Sequence, residues 1–294
     1  MRRHPRWPLI AALLALALPA AALPPPKAVY VGSYRWQIAD RAFGGFSGLE
    51  LSDDGTHFTA LSDRGHITEG TLSRDAAGAV TGATAGPLLP LLGEDGRPLP
   101  LWKADSEGLA IAPSGHVFIS FEEVHRVLDY PRVGGVPKVL PRHPDFARME
   151  ANKSLEALEI DRHGWLYTTP ERVSGDGLKI YRYRHGVWDQ PFTLPKDGAF
   201  LPTGADFGPD GKLYLLERDY SLLGFRSRVR RFTLGAKGVD AGETLLESPL
   251  GTFDNLEGIA VWSDAQHHIR LTMVSDDNFS PFQITQFVDY RVTE

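Results

Sequence analysis

The stretch DSEGLAIAPSGHVFISFEE, Asp105 to Glu123, decides the fold, because relatives of it return along almost the whole chain. Two apolar runs of strand type, Gly108 to Ala112 and His116 to Phe121, flank the turn Pro113-Ser114-Gly115. Short β-type runs around a tight glycine turn read as an antiparallel hairpin. In such a hairpin the start of the first strand lies beside the end of the second, so Glu107 and Glu122 share one rim.

Four further copies follow the same plan. They are FSGLELSDDGTHFTALSDRG (Phe46 to Gly65), NKSLEALEIDRHGWLYTTPERV (Asn152 to Val173), PTGADFGPDGKLYLLERD (Pro202 to Asp219) and DNLEGIAVWSDAQHHIRLTMVSDDN (Asp254 to Asn278). Gly48, Gly108, Ala157, Gly204 and Gly258 mark equivalent places, 47 to 60 residues apart. A period of that length filled with strands is the mark of a β-propeller blade. Further strands are expected at Ile67 to Leu72, Arg126 to Tyr130, Lys179 to Tyr183, Arg228 to Leu234 and Phe282 to Val292. Past the first residues no segment carries a sustained 3.6-residue apolar pattern, so the fold class is all-β. Five units predict five blades; a sixth follows if the long first interval, Ile67 to Trp102, holds a degenerate one. The last unit has room for about three strands, and the strand at Ala28 to Tyr34 is expected to complete it and close the ring.

Residues 1–22 read as a signal peptide: Arg2, Arg3 and Arg6 precede an apolar run from Leu9 to Leu18, and Ala20-Ala21-Ala22 offers the cleavage site. Residues 23–294 then form one exported domain, periplasmic or secreted, with no membrane segment after cleavage. The formal charge is −6 before the three leader arginines leave, so the mature chain is acidic and nucleic acid is excluded as a partner. Zero cysteines exclude disulfides, a thiol nucleophile and thiolate metal sites. No G-x-S-x-G elbow, H-E-x-x-H helix or P-loop occurs. Ser47 in GGFSG resembles an elbow only loosely, and His267-His268 falls in a turn at the far end from the acids. Trp165, Trp188 and Trp262 read as core, and Trp102 as a wall of the channel.

Aligning the units leaves two rim positions. Before the first strand stand Ser47, Glu107, Glu156, Thr203 and Glu257; at the end of the second stand Asp63, Glu122, Glu171, Glu217 and Asp276. Up to eight carboxylates therefore converge on one mouth of the central channel. Crowded carboxylates raise one another's pKa unless a cation neutralises them. An all-oxygen ring suits Ca²⁺ first and Mg²⁺ or Mn²⁺ second. Arg64, Arg172 and Arg218 follow directly on three of the acids, and Lys153 lies beside the third unit's rim. A guanidinium grips phosphate or carboxylate through two N–H groups, so these four are the candidate catalytic residues for a small anionic ester. Each acid-arginine pair also fits a structural ion pair between blades.

At these same residues the chain resembles a known family. GGFSGLELSDDGTHFTALSDRG, DSEGLAIAPSGHVFISFEE, PERV, LLERD and DNLEGIAV resemble the phytase-like domain, or esterase-like activity of phytase, of bacterial secreted proteins. The resemblance covers nearly the whole mature chain. It implies a propeller related in architecture to Ca²⁺-dependent alkaline phytases, although this chain is shorter and their full ligand set has no counterpart here. The expectation is a monomeric, cation-dependent hydrolase of phosphoesters or other esters. A lactonase of the gluconolactonase type and a non-catalytic binding propeller are the alternatives.

Overall fold

A computed structural model describes residues 27–150, 154–172, 175, 177–236 and 238–293. The signal peptide and Lys153 lie outside the described residues. Five antiparallel sheets, four of four strands and one of five, stand in a ring, each inner strand packed against the inner strands of both neighbours, which is a five-bladed β-propeller. The inner strands are Phe46–Leu51, Ser106–Ile111, Leu155–Ile160, Leu201–Phe207 and Asn255–Ser263. Blades are numbered in that order. Among the described residues the helices are two short 3₁₀ turns, Leu101–Lys103 and Pro144–Arg148, and no helix is long and apolar enough to cross a membrane.

The five repeats are five hairpins. In blade two, Ser106–Ile111 pairs with Val117–Phe121 across a turn where Gly115 takes a φ of 84° that a side chain would strain. The long first interval forms no sixth blade. Val80–Ala85 supplies the outer strand of blade one, and Leu89–Pro90 adds to the same sheet beside His66–Arg74. The ring closes as expected. Ala28–Arg35 pairs with Gln286–Val292 from Ala28 opposite Val292 to Arg35 opposite Gln286, so the two ends of the chain share blade five. Closure gives blade five its fourth strand and leaves each sheet only a short outer edge.

Apolar residues gather between the blades. One buried cluster fills each of the five interfaces; Leu61 and Ile67 of blade one, for example, meet Leu109 and Ile119 of blade two. The axis is thus left to polar residues. Inner strands approach so closely that a Cβ on Gly204 would lie 2.3 Å from the Glu257 carbonyl oxygen, and one on Gly108 would lie 2.5 Å from the Leu158 Cβ. These glycines, each following a rim position, are what the crowded axis requires.

Trp188 and Trp262 are buried as expected, and Trp165 is half-buried beneath the Arg182 guanidinium. Trp102 departs from expectation. It is exposed on the 3₁₀ turn beside the mouth rather than lining the channel, because that turn lies in the connection between blades one and two.

Candidate active site

All five hairpins carry an irregularity at the same place on the inner strand. Pairing shifts between Phe46 and Gly48, Ser106 and Leu109, Leu155 and Ala157, Pro202 and Gly204, and Leu256 and Gly258. The extra residues include Ser47, Glu107, Glu156, Thr203 and Glu257, the whole first rim position. A bulge re-aims a side chain that would otherwise follow the pleat. Ser47 donates its hydroxyl to the Ser106 carbonyl at 2.7 Å and Thr203 to that of Leu256 at 3.2 Å, so both stitch neighbouring blades together.

The second rim position is the residue just past the partner of the strand residue that precedes each bulge. Ser62 pairs with Phe46, Phe121 with Ser106, Pro170 with Leu155 and Glu217 with Pro202. The rim residues of blades one to four are therefore Asp63, Glu122, Glu171 and Arg218. Glu217 is corrected here: it stands one register short, and adjacent strand residues face opposite ways. It is buried against Arg230, at 2.6 Å, and Arg228, at 2.9 Å. Asp276 of blade five, paired with Asn255, belongs to the rim.

Arg218 thus occupies the outer ring where blades one, two, three and five place an acid. It donates to Glu257 at 2.5 Å, to Asn255 Oδ1 at 2.7 Å and to Glu171 at 3.4 Å. The other two arginines lie elsewhere. Arg64 is exposed with its guanidinium 3.4 Å from the centre of the Phe279 ring, and Arg172 is exposed and paired with Glu150.

Asp105, Glu107 and Glu122 form the tightest acidic group, with one carboxylate oxygen from each within 4.8 Å of the others. Asp105 escaped the sequence reading although a signal was present. A period of two places i and i+2 on one face of a strand, and Asp105-x-Glu107, Ser154-x-Glu156 and Asn255-x-Glu257 share that spacing. Asn255 donates to Glu257 at 2.7 Å and to Asp276 at 3.2 Å. Buried in the same rim, Asp63 Oδ1 and the Ser154 hydroxyl have no hydrogen-bond partner among the described residues.

Electrostatics follow from that crowding. Burial, then the Glu257 charge, pushes Asp63 up to about 7 against the opposing pull of Arg64. Burial raises Glu122 to about 7, resisted by the Ser154 N–H it accepts at 2.7 Å. Asp276 reaches about 8 by burial and the nearby Glu257. Glu107 and Glu156 are driven well above the carboxylate range by burial and by neighbouring glutamates. Burial also raises Glu257, opposed by Arg218 and Asn255. Asp277, in contrast, braces a loop by accepting the Gly45 and Phe279 N–H groups, both at 3.0 Å.

Three residues further along the inner strands lies a second acidic level: Glu50, Glu159 and Asp206. Burial first, then mutual repulsion, pushes Glu50 and Glu159 well up, and burial holds Asp206 at about 8. Each accepts a backbone N–H, from Ile111, Ile160 and Val261 respectively.

A family model for the phytase-like domain, described as esterase-like activity of phytase, matches residues 41–279. The chain belongs to that family. No curated protein matches the sequence. Among solved structures, a protein of unknown function from Dyadobacter fermentans aligns at 12% identity and TM-score 0.48, covering 90% of this chain and 87% of that one. A gluconolactonase from Xanthomonas campestris aligns at 15% identity and TM-score 0.46, over 83% and 72% of the two chains. A streptogramin B lyase aligns at 15% identity and TM-score 0.40, over 84% and 70%. Within this phytase-like protein the rim acids belong to the matched segment, as do both acidic levels of the channel.

Proposed function

We propose that the mouth of the channel is the active site of a divalent-cation-dependent hydrolase acting on small esters that carry an anionic group. The observation that carries this reading is the convergence of Asp105, Glu107 and Glu122 within 4.8 Å. Three carboxylates that close, in a setting that pushes their pKa values up, are either protonated or neutralised by a cation. The donor set fits a cation: it is all oxygen, and the buried, unpartnered Asp63 Oδ1 adds a further acceptor. Asp105, Glu107 and Glu122 would hold the ion, with Glu156 and Asp63 beside them. Ca²⁺ suits such ligands, with Mg²⁺ or Mn²⁺ as substitutes. Once bound, the ion would polarise the ester and acidify a water.

The chain's own residues supply the rest. Asp276, which titrates near 8, is suited to take a proton from the attacking water. Arg218 opposes the burial that raises the Glu257 pKa and, through its ion pairs with Glu257 and Glu171, fixes where both carboxylates lie. Arg64 stands at the rim to meet the substrate's negative group, held in place by its stacking on Phe279. Export through the leader at residues 1–22 and a monomeric state complete the proposal.

The test is a screen of the purified mature chain with Ca²⁺, Mg²⁺ or Mn²⁺ against phosphomonoesters, phosphodiesters, carboxylic esters and lactones, with and without chelator. Chelator-sensitive turnover that Glu107→Gln abolishes supports the reading. Turnover of lactones alone narrows it to a lactonase. Cation-dependent stability with no turnover of any ester overturns it in favour of a binding propeller.

A further inference from the structure

The most exposed large apolar side chains are unevenly placed. Leu101, Trp102, Tyr220, Leu222, Leu223 and Phe282 all sit on the mouth face, in connections and a hairpin that leave the rim; among the described residues Val187 alone, of comparable exposure, lies on the opposite face. Leu222 is 96% exposed and Phe282 95%. The Leu222 cluster has a specific cause. Second strands of blades one to three end at Ser62, Phe121 and Pro170, level with Glu217, whereas that of blade four, Leu213–Ser221, runs on for four residues. At about 3.3 Å per residue the three strand residues past Arg218 lift the hairpin roughly 10 Å above the rim. Its ladder stays paired to the tip, Ser221 opposite Gly224, and is buttressed by the Asp219–Arg226 ion pair and by Tyr220 packed against Phe225.

Between this hairpin and the Phe282 loop lies a cleft of about 1040 Å³. Its floor is polar and belongs to the mouth: Glu171, Arg218 and Asn255. Its walls carry the apolar side chains of Leu201, Tyr220, Leu222, Phe225 and Phe282, interspersed with Asp219, Ser221, Asn278 and Gln283. The cleft is continuous with the acidic ring through Arg218, so a molecule whose polar end lies in the mouth can lay its other end along these walls.

We propose that the substrate is amphiphilic, an ester whose anionic end enters the mouth while an alkyl or aryl group lies in the cleft between the blade-four hairpin and Phe282. This rests on the hydrolase reading above and adds the substrate class. Apolar walls reward each methylene taken from water, whereas a merely polar substrate gains nothing from them.

The experiment measures binding rather than turnover, so the two readings fail separately. Titration calorimetry of the full mature chain with Ca²⁺ uses ethyl, butyl, hexyl and octyl phosphonates, which cannot be hydrolysed. A fully buried methylene is worth about fourfold in affinity, and one covered on a single side about twofold. Affinity should therefore rise about twofold per methylene. The double substitution Leu222→Ser with Phe282→Ser should flatten the series, and Val187→Ser on the opposite face should leave it intact. Both altered residues of the double variant are exposed, so folding is not at stake. A flat series in the wild-type chain overturns the proposal, as does a slope that survives the double substitution. Co-sedimentation with phosphatidylcholine vesicles, lost in the double variant and accompanied by a flat series, assigns the apolar rim to a membrane surface instead. A graded series without turnover of any ester keeps the amphiphile site and removes the hydrolase reading.

Discussion

Arg218 donates to Glu257 at 2.5 Å from a rim position where blades one, two, three and five place an acid. One blade thus contributes a fixed positive charge to a ring that is otherwise acidic, and that charge faces four glutamates: 107, 156, 171 and 257. Arg218→Gln should cost about 3 kcal/mol in chelator, since it leaves mostly buried carboxylates without their cation. Added Ca²⁺ should recover much of the loss, because the ion replaces the missing charge. Thermal melts of both proteins with and without Ca²⁺ measure this, and equal losses in both conditions would refute it.

Cation binding should stabilise the wild-type chain by about 2.7 kcal/mol at a hundredfold excess over Kd. Glu107→Gln should abolish that gain, because it removes one member of the Asp105, Glu107 and Glu122 group. Glu217→Gln serves as the contrasting variant. It should leave the cation response intact while destabilising the fold by about 3 kcal/mol, since Arg228 and Arg230 lose their buried partner. A cation response that depends on Glu217 would contradict the register that places it away from the rim.

Stability should decline as pH rises from about 4 to 8. Asp206 ionises near its ordinary value of 3.8 in the unfolded chain but at about 8 in the fold. Between those values the folded state keeps a proton that the unfolded state has released, so the Asp206 contribution is fully present below 3.8 and is lost as pH approaches 8. Asp206→Asn keeps an acceptor for the Val261 N–H and carries no charge. The variant should melt higher than wild type at pH 8, by about 2–4 °C per kcal/mol relieved, and converge with it near pH 4. Parallel melting curves across that range would refute it.

Gly204→Ala should destabilise by about 1–3 kcal/mol, because the new Cβ would lie 2.3 Å from a backbone oxygen of blade five that cannot swing aside. The equivalent residue of blade three is already Ala157, so its exchange for glycine should cost no more than about 1 kcal/mol. Urea unfolding distinguishes the two, and equal effects would show that the inner strands are not in such close approach.

Much of the fold was legible in the chain because blade hairpins are local objects. The turn at Pro113-Ser114-Gly115, the alternation on either side of it and the return of the same pattern after 47 to 60 residues announce five antiparallel hairpins. Blade closure followed from arithmetic, since the last unit was short of one strand and Ala28 to Tyr34 had no other home. The interval Ile67 to Trp102 was ambiguous, because whether it holds a sixth blade or extends the first is decided only by the pairing of Val80–Ala85 with His66–Arg74. For the site, acid content was legible and register was not. Counting seven residues from the turn glycine reaches Glu122 from Gly115, Glu171 from Gly164 and Arg218 from Gly211, whereas matching by residue type selects Glu217.

By itself, then, the sequence determined the repeating hairpin and the gathering of acids at one end of every inner strand, because each depends on contacts within about twenty residues and on a period of two, and it announced the all-β ring through the return of that hairpin every 47 to 60 residues. Tertiary structure alone decided which acids meet. The Asp105, Glu107 and Glu122 group, the pairing of Arg218 with Glu257 and the cleft between Leu222 and Phe282 each join parts of the chain brought to the axis from different strands or different blades. Their chemistry depends on distances of a few ångströms that only ring closure sets.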